Sequence, residues 1–250
     1  MSDHGLPCWY ELTSTDLKAS SKFYGQVCGW TFANAGMPGF DYTLARSGED
    51  MVAGFFEPEA TMPCFWMVYF VVDDCDSAAT KVTALGGTVH AQPADIPGTG
   101  RFAIVADPQG AFFGMLQPKS GDPGKAYAPM VEGHGCWHQL ETADPSTSLA
   151  FYAELLDWTE TRTHPMGDHS PYRIIAAQGQ EFGGIMEPFQ PDTPPHWRPI
   201  FGVASVAAAT ASVTKAQGTV LNGPDPVPGG GFVVTAKDDQ GVLFSLVGGA

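Results

Sequence analysis

The sequence predicts an α+β protein built from four βαβββ modules arranged as two tandem domains. Three observations lead there. The 250-residue chain repeats itself once, in order, across nearly its whole length. Each repeat holds two helix-length segments with capping residues, each preceded by one short apolar run and followed by three. The composition, 44% hydrophobic and 16% charged, is that of a chain that folds rather than one that stays disordered.

The repeat is clearest at the start of each half. Residues 8–31 (CWYELTSTDLKASSKFYGQVCGWT) align without a gap to residues 136–159 (CWHQLETADPSTSLAFYAELLDWT), with nine of 24 positions identical. The shift is 128 here and 131 later, where Trp66 meets Trp197 and Gly87-Thr88-Val89 meets Gly218-Thr219-Val220. Asp107-Pro108-Gln109-Gly110 then meets Asp238-Asp239-Gln240-Gly241. A period this long is right for fused domains and too long for a solenoid. The expected boundaries are 1–118 for the first domain, 119–133 for a Pro- and Gly-rich linker and 134–250 for the second.

The elements follow in order. Trp9 to Thr13 reads as a short strand. Asp16 is placed to cap a helix whose Ser20, Phe23, Tyr24 and Val27 share one stripe, and Gly29 stops it. In the second half Asp144-Pro145 makes the same start, with proline at the first helical position. Strands are expected near Trp30–Ala33, Tyr42–Ala45 and Met51–Phe56. The scheme then restarts. Trp66–Val72 is rich in aromatic and β-branched residues, Asp74 caps a helix through Leu85, and Gly86-Gly87 ends it. Strands near Thr88–Ala91, Arg101–Ala106 and Phe112–Gln117 close the half, the last two joined by the Asp107–Gly110 turn.

Charge and cysteine content narrow the function classes. Twelve Lys and Arg against 27 Asp and Glu give a net charge of −15. Such a chain offers few cations to phosphates, so neither nucleic acid nor an anionic membrane surface is the expected partner. No apolar run is long enough to span a bilayer, and the first residues lack a signal-peptide pattern. The five cysteines are odd in number and have no close pairs, which points to reduced thiols and a cytoplasmic location.

The first strand, a hydroxyl residue and then D-x-x-x-S-x-x-F-Y occur twice: Ser14, Asp16, Ser20, Phe23 and Tyr24, then Thr142, Asp144, Ser148, Phe151 and Tyr152. With the D-P-x-G turn before Phe112 and the V-D-D run at Val72-Asp73-Asp74, this pattern resembles the vicinal oxygen chelate superfamily of glyoxalases, bleomycin-resistance proteins and extradiol dioxygenases. The resemblance covers nearly the whole chain, twice. It implies curved sheets that form cups around small-molecule sites, with the helices outside. It also implies four His, Glu or Gln metal ligands per cup in the metal-dependent members. Those positions fall on Trp9, Gly54, Met67 and Gly114 in the first half. In the second they fall on Trp137, Gly184, Arg198 and Ser245. None is an ordinary metal ligand, so no metal and no other cofactor is expected.

Strand alternation suggests what a cup would hold instead. Trp9 brings Glu11 to its face, Trp137 brings Gln139 and Glu141, Met67 brings Tyr69, Gly114 brings Phe112 and Gly54 brings Phe56. The expected ligand-binding residues are therefore Trp9, Phe56, Met67, Tyr69, Phe112, Trp137, Gln139 and Glu141. The tryptophans can equally be core packing, and the carboxylates solvated. The expected function is binding or sequestration of a small ligand in a metal-free, aromatic-lined cup, and the resemblance to drug-sequestering members implies a cationic, planar one. The alternative is a lyase or isomerase of glyoxalase type. Glu11 would then act as base next to a carbonyl and Arg198 would hold the enolate oxygen, provided that the halves bring the two together. A third reading makes one or both cups vestigial, with the protein acting through partner contacts. A monomer or a homodimer suits the tandem arrangement.

Overall fold

The computed structural model describes residues 3–37, 39–59, 62–167, 169–190 and 192–250. Module one comprises β1 (Pro7–Thr13), α1 (Leu17–Cys28), β2 (Thr31–Asn34), β3 (Tyr42–Ser47) and β4 (Asp50–Phe56). Module two comprises β5 (Trp66–Val71), α2 (Cys75–Ala84), β6 (Thr88–Ile96), β7 (Gly100–Ala106) and β8 (Phe112–Pro118). Module three comprises β9 (Gly135–Glu141), α3 (Pro145–Leu156), β10 (Thr159–Met166), β11 (His169–Ala177) and β12 (Gln180–Met186). Module four comprises β13 (His196–Ser205), α4 (Val206–Lys215), β14 (Thr219–Pro226), β15 (Phe232–Lys237) and β16 (Leu243–Gly249). The expected α+β class and the four βαβββ modules are present. The strands of modules one and two belong to one eight-stranded sheet and those of modules three and four to another.

Local chemistry accounts for the helix ends. The Asp16 carboxylate accepts the Ala19 backbone N–H at 2.9 Å, and the Asp144 carboxylate accepts those of Ser146 and Thr147. These bonds satisfy N–H groups that have no partner inside the helix. At the other end Gly29 takes a left-handed conformation (φ 73°), as does Asp157 (φ 57°) at the matching position. The expected stripe of Ser20, Phe23, Tyr24 and Val27 is buried.

The two compact units are not the two tandem halves. One unit takes Met1–Cys8, module two from Met67 to Gly124, and His138–Trp197. The other takes Trp9–Trp66, Lys125–Trp137 and Arg198–Ala250. Module two thus packs with module three, and module one with module four. The part of the expected linker from Lys125 onward is built into the second unit, where the Trp30 indole donates to the Gly133 carbonyl at 2.7 Å.

A repeated hydrogen-bonded lock explains this pairing. Before β16, Gln240 reaches across to the start of α1: its amide donates to Ser14 Oγ (2.8 Å) and Ser20 Oγ (2.6 Å), and its carbonyl accepts from Thr15 N (3.0 Å). Beside it Trp66 donates to the Tyr24 hydroxyl, which donates to Asp238. In the other unit the Gln109 amide donates to Ser148 Oγ and the Asp144 carbonyl and its carbonyl accepts from Asp144 N, while Trp197 donates to Tyr152, which donates to Asp107. Burial raises the pKa of both Asp107 and Asp238 above the ordinary carboxylate value. The motifs that repeat in sequence are the two sides of these locks, one side from each half.

Candidate functional site

The helices and locks occupy one face of each sheet. The opposite, helix-free faces carry the expected site residues, because strand register pairs them there. Glu11 lies opposite Gly54 on the adjacent parallel strand, Gln139 opposite Gly184, Tyr69 opposite Gly114 and Ile200 opposite Ser245.

Module one has the most ordered polar arrangement. The half-buried Trp9 indole donates to the Tyr42 hydroxyl at 2.9 Å, and Tyr42 donates to Glu11 Oε1 at 2.6 Å. Because Trp9 fills an acceptor position on the phenol oxygen, the phenolic proton is committed to the carboxylate. Burial, followed by the charge of Glu11, holds the Tyr42 phenol well above its ordinary pKa, so it remains a donor. The Tyr42 ring lies over Gly54, where an added Cβ would fall inside the ring. Phe56 and Phe40 stack on Tyr42 with centroids 6.3 and 5.8 Å away. Phe40 is exposed, as are Met37 and Met62.

Module three repeats the tyrosine-over-glycine floor with Tyr172 and Gly184. Gln139 stands where module one has Glu11, and its amide donates to Glu141 Oε1 at 2.9 Å and contacts Met186 Sδ at 3.2 Å. Both side chains are more than nine-tenths buried. His138, between them and Trp137 in sequence, faces the helix side as expected. It is fully buried, with Nδ1 2.8 Å from the Phe182 carbonyl, and burial lowers its pKa to about 4.

In module two Met67 and Tyr69 are buried and the Tyr69 ring covers Gly114. Phe112 is half-buried and packs against the exposed His90 ring, centroids 4.3 Å apart. Module four presents Arg198, Ile200 and Ser245, with Thr235 Oγ1 3.0 Å from Ser245 Oγ.

Glu11 and Arg198, the expected catalytic pair, lie on β1 and β13, strands of different sheets. Tyr10 and Phe201 meet edge to face at 5.4 Å on the helix side. Glu11 follows Tyr10, and Arg198 is three residues from Phe201, so alternation turns both away from that contact, on different sheets. The sequence reading also passed over Tyr42, Tyr172 and Phe40. The two tyrosines carry a signal, since each precedes its paired glycine by twelve residues in both halves.

The family model of the Glyoxalase/Bleomycin resistance protein/Dioxygenase superfamily matches residues 8–115 and 137–246. The chain belongs to this superfamily. It is 33% identical to a Mycobacterium tuberculosis protein, CFP32, that is named as a glyoxylase, over 97% of this chain and 94% of that one. It is 31% identical to the anthracycline biosynthesis protein DnrV of Streptomyces peucetius, over 97% and 93%. In fold it is similar to a Mn(II)-bound glyoxalase from Novosphingobium aromaticivorans, with TM-score 0.68 and 15% identity over 99% of this chain and 83% of that one.

A metal of that kind does not fit the residues present. Of the eight positions that the resemblance marks as ligands, three are glycines under tyrosine rings, two are tryptophans, and the others are Met67, Arg198 and Ser245. Among the described residues no three His, Cys, Asp or Glu side chains cluster in metal-binding geometry.

Proposed function

We propose that this superfamily member binds a small planar ligand on the helix-free face of module one without a metal. The observation that carries the reading is the Trp9–Tyr42–Glu11 relay set beside the stacked Phe40, Tyr42 and Phe56 rings. Aromatic faces attract rings and cations, and a pre-oriented carboxylate suits an ammonium or other donor on the same ligand. The net charge of −15 would speed the encounter with a cation. The name of DnrV supports this class, since anthracyclines are planar polycyclic molecules. The reading takes the protein as a monomer or homodimer in the cytoplasm, a location that the five free cysteines support.

The name of CFP32 favours a second reading, a lyase or isomerase acting on a carbonyl compound with Glu11 as base. Here the Tyr42 proton is bound to the base itself, so the oxygen of a developing enolate needs another donor. That requirement favours the binding role.

Fluorescence separates the two. Trp30, Trp66, Trp158 and Trp197 are at most 3% exposed, which leaves Trp9 and Trp137 as reporters of the helix-free faces. Titration with 2-naphthylmethylamine is expected to quench saturably, and Tyr42→Phe to weaken the response roughly 10-fold, as for one charge-assisted hydrogen bond. Proton NMR of methylglyoxal with a thiol is expected to show no turnover. Turnover that is lost in Glu11→Gln would establish the second reading, and no saturable quenching would remove the first.

A further inference from the structure

Beside the shared locks, the groove between α1 and α4 differs from its counterpart between α3 and α2. The first is lined by Gln26, Val27 and Cys28 from the last turn of α1 and by Ser205, Ala208 and Ser212 from α4. In the second, the repeat puts Glu154, Leu155 and Leu156 at the three α3 positions and Lys81 at the position of Ser212. Lys81 Nζ lies 3.3 Å from Glu154 Oε1, and both leucines are buried. An ion pair beside two leucines thus spans one groove. The other has smaller side chains at three of the four positions, and its glutamine and serine cannot form the ion pair. A cleft of about 280 Å³ lies there.

The cleft pairs aliphatic walls with a negative side. Val27, Val203, Ala208 and Ala209 form the walls. An apolar cavity of ~150 Å³ already holds a benzene ring. Exposed Gln26 and Glu132, the latter from the segment before β9, are the polar groups at its edge. Neither the Glu132 carboxylate nor the Gln26 amide has a hydrogen bond or ion pair among the described residues. The last turn of α1 carries no basic residue, so its final carbonyls, at the negative end of the helix dipole, also lack a cation. On the opposite wall the Ser205 hydroxyl accepts the Ala208 N–H at 3.2 Å, which caps α4 from within. The groove that the other unit closes with a lysine therefore keeps a negative side here and has no cation of its own.

We propose that the cleft between α1 and α4 is a binding site for a small apolar amine. One ring or a short chain lies between the helices, and the ammonium group takes the place that Lys81 has in the other unit. Glu132 is its principal acceptor and the Gln26 carbonyl a second. The site is on the helix side of the sheet, so it is separate from the helix-free faces and does not rest on what they bind.

The test uses the full-length protein with benzylamine and its neutral analogue benzyl alcohol, followed by methyl NMR of alanine-labelled protein and by calorimetry. Benzylamine is expected to shift the Ala208 and Ala209 methyl signals saturably and to bind roughly 10-fold more tightly than benzyl alcohol. Glu132→Gln, at an exposed position, is expected to remove most of that difference. The triple variant Gln26→Glu, Cys28→Leu and Ser212→Lys copies the closed groove. It is expected to abolish the shifts, while quenching of Trp9 by 2-naphthylmethylamine is unchanged. No saturable shift at the two methyls, or shifts as strong in the triple variant, overturns the site. Benzyl alcohol that binds as tightly as benzylamine, or benzylamine binding that Glu132→Gln leaves unchanged, overturns the amine as its ligand. Those two arms decide the matter if the triple variant fails to fold. Failure of the Trp9 quenching alone removes the module one reading and leaves this site standing.

Discussion

The two faces of the sheets show how differently one repeat is used. On the helix side nearly every feature occurs twice: Tyr24 and Tyr152 each accept from a tryptophan and donate to a buried aspartate, and Gln240 and Gln109 each clasp a helix start. On the helix-free side matching positions diverge, with Glu11 against Gln139, Met67 against Arg198, Tyr69 against Ile200 and Gly114 against Ser245. The helix side is a packing problem with one good solution, so both copies keep it. The other side is free of that demand, and its chemistry can differ module by module.

The largest expected effect breaks the duplicated side. Trp66→Ala removes a buried indole and leaves Tyr24 without its donor, and is expected to cost ~3–5 kcal/mol in a urea unfolding titration. Trp197→Ala should cost a similar amount if the two locks are equivalent, so a large difference between them would undo the comparison.

The next effect comes from pH and belongs to one unit. Tyr10 and His138 occupy matching positions, and only the histidine titrates near neutrality. Its folded pKa of about 4 lies below the unfolded value of 6.5, so the unfolded chain takes up the proton first. The contribution is constant above pH 6.5 and stability falls as pH drops from there to about 4, by up to ~3 kcal/mol. Unfolding titrations across that window should show the fall, and His138→Tyr should flatten it.

Smaller losses sharpen the locks. Gln240→Ala and Gln109→Ala are each expected to cost ~1–2 kcal/mol, as for a lost helix cap with its side-chain bonds. The smallest stability effect is expected on the divergent side. Ser245→Gly, which removes the partner of Thr235 Oγ1 from a buried strand, should lower the unfolding free energy by ~1 kcal/mol.

Much of this was legible from local patterns. The capping aspartates, the apolar stripe of α1 and the β-branched run of β5 each specify their element through contacts within a few residues, so Asp16, Phe23 and Trp66 were readable in place. The role of Gln240 was not. Its partners Ser14 and Ser20 lie more than 200 residues away, and the repeat shows only that the glutamine occurs twice. The tyrosine hydroxyls were read as packing for the same reason, since their acceptors come from the other half. On the helix-free side, alternation placed Trp9, Glu11, Gln139 and Glu141 on one face, but Tyr42 enters from a neighbouring strand whose register the sequence does not display.

By itself the sequence determined the modules, their duplication, the helix boundaries and the non-ligand residues at the positions that the resemblance marks for a metal. These depend on periodicity, caps and residue identity, which are local. Only the tertiary structure decided that module one packs with module four and module two with module three, and that Glu11 is bound to Tyr42. Each of these depends on which strand edge and which helix start meet in space. That choice is made by hydrogen bonds closed over long stretches of chain, and no local pattern records it.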